Sequence, residues 1–99
     1  VENLDWAVQR MDTDSMATVE LTPEATAQAE RLPKAMHDRV LALVQRLEQW
    51  PAVSGVKRLS GNLAGYCRLR TGAYRIRFRV QGETIVVDKI GHRRDFYEE

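Results

Sequence analysis

Arg68 and Arg70 are separated by a single residue, and Arg75, Arg77 and Arg79 repeat the same spacing a few positions later. Alternate residues of a β-strand project to one face, so this spacing predicts five guanidiniums on a single sheet face. Such a face repels itself unless solvent, acids or an anionic ligand relieve it. A surface needed only for solubility mixes both signs, although arginine stems can also shield an open sheet while their heads reach water. The planar guanidinium fork matches a phosphate in two-point contact, so the chemistry implied is anion binding, with a nucleic acid the foremost polyanion. Lys57, Arg58, Arg93 and Arg94 extend the basic set along the chain.

The charge is distributed unevenly. Ten bases face three acids between Val56 and Tyr97, a balance of +7, and eight of the ten are arginine, whereas Val1 to Met16 carries −3 and the whole chain only +1. Other chemistries find little support. The lone cysteine, Cys67, excludes an intrachain disulfide framework and a cysteine-rich zinc site. His37 and His92 are too far apart for metal-ligand spacing, so no metal and no cofactor is expected. There is no Walker loop, dinucleotide fingerprint or HExxH motif. Ser54 and Ser60 have no recognisable base beside them. Cys67 falls on the core side of its strand and reads as a buried, inert thiol. His92 adjoins Arg93 and Arg94, which makes it a candidate for proton transfer.

The elements that must carry these residues follow from periodicity. Ninety-nine residues, 43% of them apolar and 29% charged, suit one globular domain. No apolar run approaches the roughly 20 residues that span a bilayer, and no secretory signal is present, so a cytoplasmic setting is expected. Residues 1–15 read as an N-terminal extension and 16–99 as the domain. Leu4, Ala7, Val8 and Met11 give the extension a short acidic amphipathic pattern, whose charge could shield the basic face. Val19 and Leu21 alternate with polar neighbours, as in a strand.

Thr22-Pro23-Glu24 is a helix start, with a capping threonine and proline at the first turn. This helix runs to about Arg31, where Pro33 interrupts it. Met36, Val40, Leu43, Leu47 and Trp50, widened by Val44, form the apolar stripe of a second helix, which Pro51 ends. The period then changes to two. Residues 66–70, 74–80 and 84–90 read as three strands, joined by turns at Thr71-Gly72 and Gln81-Gly82. The Ile85-Val86-Val87 run predicts burial on both faces. The expected fold class is α+β: a small antiparallel sheet, made of the N-terminal strand and a three-stranded C-terminal meander, covered on one face by a two-helix hairpin. Leu69, Tyr74, Ile76, Phe78 and Val80 are expected beneath the helices.

Four pieces of the C-terminal half occur in a telling order: Lys57-Arg58-Leu59-Ser60-Gly61, Gly65-Tyr66-Cys67-Arg68-Leu69-Arg70, Gly72-Ala73-Tyr74-Arg75-Ile76-Arg77-Phe78, and Gly91-His92-Arg93-Arg94-Asp95-Phe96-Tyr97. Together they resemble the RelE/ParE superfamily, the toxins of bacterial and archaeal toxin–antitoxin modules, over residues 17 to 97. The resemblance implies a RelE-like fold and two alternative targets. RelE-type members are mRNA interferases that cleave message in the ribosomal A site without metal. ParE-type members share the fold and poison DNA gyrase. It also implies a cognate antitoxin, operator DNA met only through the antitoxin complex, and, for the RelE type, the ribosome and mRNA as partners.

By that resemblance the reactive basic pair corresponds to Arg68 and Arg70, the next-strand arginine to Arg75, the tail arginine to Arg93 and the tail tyrosine to Tyr97. Lys57, Arg58, Arg77, Arg79 and Arg94 would then bind RNA. The basic-plus-tyrosine set favours an endoribonuclease, with a gyrase inhibitor or a catalytically inert basic module as alternatives. One departure bears on mechanism. RelE has lysines where this chain has Arg68 and Arg70, and arginine stays protonated below pH about 12. A general base would then be His92, Tyr97, an acid such as Asp95 or Glu98, or no protein group.

Overall fold

The computed structural model describes residues 17–96 of the chain. The N-terminal extension, Tyr97 and Glu98 lie outside the described residues, as do the helical pattern and shielding role expected of the extension. Strand β1 (Thr18–Leu21) leads directly into helix α1 (Pro23–Glu30) and then helix α2 (Lys34–Arg46). Four strands follow: β2 (Lys57–Arg58), β3 (Tyr66–Thr71), β4 (Tyr74–Gln81) and β5 (Thr84–His92), ending in a 3₁₀ turn over Arg93–Phe96.

Local chemistry sets the helix boundaries as expected. The Thr22 hydroxyl accepts the Ala25 backbone N–H at 3.1 Å, satisfying one of the unpaired donors of the first turn. Pro33 separates the helices, and α2 tightens into a 3₁₀ turn over Leu47–Gln49 before Trp50 and Pro51. The hairpin turns depend on Gly72 and Gly82, both at positive φ near 60°, which a two-residue turn of this hand requires.

The strands form one mixed sheet in the order β1-β5-β4-β3-β2. The expected α+β class and its helical cover are present, but the sheet is not wholly antiparallel. β1 runs parallel to β5, pairing Val19 with Ile85 and Leu21 with Val87. Strand direction leaves no mark on a period-two pattern, and β1 has no hairpin partner to reveal it. A second difference is β2, two residues long and paired with Arg68 and Cys67. At that length it carries no periodicity at all.

The core lies between the helices and one sheet face. Ala25, Val40, Leu43, Val44 and Leu47 pack against Cys67, Leu69, Ile76, Phe78, Ile85, Val87 and Ile90. Tyr74 packs at its margin, as expected, but Val80 beside the β4–β5 turn is 38% exposed, so the cover stops short of it. Val86 and Val87 are both buried, so β5 is covered on each face. Burial pushes the Cys67 thiol above its ordinary pKa, opposed only weakly by Arg58. Native protein should therefore resist iodoacetamide and react promptly after unfolding in urea, as mass spectrometry would show.

One irregularity shapes the opposite face. The register of β4 on β5 shifts at Arg77/Phe78, because Arg77 pairs with Lys89 while Phe78 pairs with Val87. Asp88 is the extra residue of a β-bulge. The bulge lets Val87 and Ile90, three positions apart, both face the core, and leaves Asp88 to the arginine side.

Candidate functional site

The predicted arginine face exists. Arg68 pairs directly with Arg77 and Arg70 with Arg75, so these four side chains share the sheet face away from the helices, and Arg79 follows two positions on. Lys57, paired with Arg68, joins the same row.

The face divides into two parts. In one, the arginines already have partners. Arg77 forms a two-point ion pair with Asp88, Nε to Oδ1 at 3.0 Å and Nη2 to Oδ2 at 2.9 Å, with side chains 19% and 16% exposed. The Tyr66 ring lies 5.2 Å from the Arg77 guanidinium carbon and 5.9 Å from that of Arg79. Removing the acid strands a half-buried cation, and because water still reaches the pair the cost falls below that of a buried one. Asp88→Asn should lower stability by about 1–3 kcal/mol in urea unfolding.

The other part is centred on Arg75. Its guanidinium Nη1 donates to the Gly72 carbonyl at 2.9 Å and the Tyr74 carbonyl at 3.1 Å, which holds the side chain down on the hairpin turn. Partial burial depresses its pKa, and the positive fields of Arg68, Arg70 and Arg93 depress it further. Arginine remains charged after such a shift, so the cluster stays cationic and a bound anion would lower its repulsion. Arg93 reaches this group because its backbone N–H donates to the Ala73 carbonyl at 2.7 Å, tying the C-terminal 3₁₀ turn to the same hairpin.

Gly91, opposite Arg75 in register, makes room for that turn: a Cβ there would lie 3.2 Å from Asp95 Oδ2 and 3.6 Å from Phe96 Cε1. Lys89 secures it, donating to the Asp95 carbonyl at 2.6 Å with Nζ 4.6 Å from the centre of the Phe96 ring.

Three of the expected residues are placed elsewhere. His92 pairs with Tyr74, whose ring meets it edge-on at 5.4 Å, and so faces the helix side rather than the arginines. Its Nδ1 accepts the Arg94 backbone N–H at 3.2 Å. The pleat explains this, since His92 is offset by one residue from Gly91, the partner of Arg75. Arg58 pairs with Cys67 and takes the core side of β2. Arg94 lines a separate groove with His92 and Arg31. Two residues escaped the sequence reading: Asp88, which only the bulge reveals, and Arg46, which resembles any solvated charge on an amphipathic helix.

Among the described residues no group of three or more His, Cys, Asp or Glu could hold a metal, and no helix is long and apolar enough to cross a membrane. What Arg68, Arg70, Arg75 and Arg93 can do is hold a phosphate and stabilise added negative charge on it.

Comparison with solved structures gives the same architecture. The toxin–antitoxin complex RelBE2 from Mycobacterium tuberculosis contains a chain matching this one at 28% identity, covering 79% of this chain and 92% of that one, with a TM-score of 0.71. The archaeal RelE–RelB complex from Pyrococcus horikoshii matches at 26% identity over 79% and 96% of the two chains, TM-score 0.65. The isolated RelE toxin of E. coli shares the fold at 14% identity, over 77% and 83%, TM-score 0.65. No curated protein sequence matches the chain. Residues 19–97 match the family model described as the ParE toxin of the type II toxin–antitoxin system, parDE. That span takes in every described strand that builds the arginine face, and it makes this chain a toxin of the RelE/ParE superfamily, belonging to the ParE toxin family of type II toxin–antitoxin systems.

Proposed function

We propose that this toxin is an endoribonuclease acting on mRNA in the ribosomal A site. The observation that supports the reading is the setting of Arg75, tethered to the Gly72 and Tyr74 carbonyls and directly across from Arg70, with Arg68 on the same sheet face. In the proposed reaction the ribose 2′-hydroxyl loses its proton and its oxygen attacks the adjacent phosphorus. The bond from phosphorus to the 5′-oxygen then breaks, leaving a 2′,3′-cyclic phosphate and a protonated 5′-hydroxyl. The phosphorane between these states carries more negative charge than the ground state, and preformed donors stabilise it selectively. Arg70 and Arg75 face one another across β3 and β4 and take the non-bridging oxygens. Arg68 adds charge beside them, and Arg93 approaches from the tail toward the leaving oxygen.

His92 is not well placed for proton removal from this face. Tyr97 remains the favoured protein group, either stacking on a base or exchanging a proton. A cognate antitoxin is part of the proposal, as in the RelBE2 and RelE–RelB complexes, and operator DNA would be met only through that complex. Its acidic or amphipathic segment would cover the basic face.

A second reading rests on the match to the ParE toxin family, the type for which the sequence resemblance implies gyrase as the target. Brief induction in bacteria followed by mapping of message 5′ ends separates the two. New ends within codons, absent with Arg75→Ala, support the nuclease. DNA damage with intact message supports the gyrase inhibitor.

A further inference from the structure

β2 pairs with β3 at Cys67 and Arg68, and the Leu59 N–H just beyond it donates to the Tyr66 carbonyl at 3.0 Å. On the side of Leu69 and Arg70 no described strand pairs with the outer edge of β3, and a groove of about 430 Å³ opens there. That volume falls among those of ordinary ligand sites. Four cations line it, Arg46, Lys57, Arg68 and Arg70, together with Ser54, Gly55 and Leu69, and none of these residues is acidic. Arg46 is drawn in from the last turn of α2. Its Nη2 donates to the Ser54 carbonyl at 2.8 Å and lies 3.3 Å from the Ser54 hydroxyl, which fixes the guanidinium at the rim.

Four cations around one cavity repel each other, and an anion relieves them. Arg68 and Arg70 line the groove and share the sheet face of Arg75, Arg70 as its direct cross-strand partner, so the groove adjoins the Arg75 cluster. Their Cα atoms are about 7 Å apart along the strand, a separation suited to contacting successive groups of an extended chain. An acidic peptide helix would need apolar anchors, and the groove offers only Leu69, which is 2% exposed. A nucleic-acid backbone needs none.

We infer that this edge groove holds the phosphodiester adjacent to the scissile one in a single-stranded RNA, with Arg46 as a contact that sets the strand's register. The inference rests on the nuclease reading and names a second subsite for its substrate.

The test uses the purified toxin and non-cleavable 2′-O-methyl RNA, as a dinucleotide with one phosphodiester and a trinucleotide with two, followed by fluorescence anisotropy. Arg46→Ala should weaken trinucleotide binding about five- to tenfold and reduce the slope of log affinity against log salt by about 0.7. Dinucleotide binding should be unchanged, and Arg46→Lys should recover part of the loss. Arg31→Ala, in the other groove, should change neither. Thermal melting of each variant identifies any loss that comes from misfolding, and Arg46→Lys then decides. An equal effect on both probes, or no effect on the trinucleotide, overturns the inference. So does Arg46→Ala weakening a poly-glutamate peptide while sparing RNA. Cleavage by the unaltered toxin on translating ribosomes is scored alongside. Its absence with the trinucleotide effect intact removes the nuclease reading and leaves a polyanion subsite; its presence without that effect removes only the subsite.

Discussion

Arg75→Ala should lower the rate of message cleavage on programmed ribosomes by about 10²- to 10³-fold, the loss seen when one preorganised donor to a developing oxyanion is removed. Arg75 is the centre of the cluster, with its guanidinium tethered to the Gly72 and Tyr74 carbonyls and three further guanidiniums acting on it. Those tethers place the donor before substrate arrives, so little reorganisation remains for the transition state. Arg75→Lys should recover only a small part of the activity, because a lysine ammonium keeps the charge and loses the fork. Stability should change little in Arg75→Ala, since losing the two hydrogen bonds is offset by relief of like-charge repulsion. Single-turnover cleavage rates with matched melting curves separate these effects. A rate within threefold of the unaltered toxin would remove Arg75 from the chemistry.

Phe78→Ala should have the largest effect on stability, about 3–5 kcal/mol by urea unfolding. Phe78 is fully buried at the centre of β4, and Trp50 meets its ring edge-on at 5.6 Å. Removing the ring leaves a cavity that strands on both sides and α2 above cannot close without moving. For a domain whose whole stability is typically about 5–15 kcal/mol, that loss removes a large share of it and raises the unfolded population by more than a hundredfold. Toxicity should fall with the amount of folded toxin although no arginine has changed. The two variants therefore fail differently, Arg75→Ala as a folded inactive protein and Phe78→Ala as an unstable one.

The same alternation made part of this legible and hid the rest. Arg68, Arg70, Arg75, Arg77 and Arg79 share a face because strands repeat every two residues, and that pattern is written in the sequence. The Thr22 cap, the Pro33 break and the glycines at 72 and 82 are local signals too. The parallel pairing of β1 with β5 is a long-range choice with no local signature. The bulge at Asp88 reverses the alternation within β5, so Asp88 as the partner of Arg77 could not be read from spacing. The placement of His92 was hidden for a related reason: it adjoins Arg93 and Arg94 in sequence, but the pleat turns it toward Tyr74. Arg46 becomes visible only once the loop carrying Ser54 folds back against α2.

Convergence of these guanidiniums on one phosphate is tested most directly by a double-mutant cycle on Arg70 and Arg75, which are direct cross-strand partners. Cleavage rates would be measured for each alanine variant and for the pair. Groups acting on the same phosphoryl group act as a unit, so the double variant should be far less impaired than the product of the single losses. Losses that multiply cleanly would show that the two arginines serve separate phosphates or separate roles, and would contradict the account.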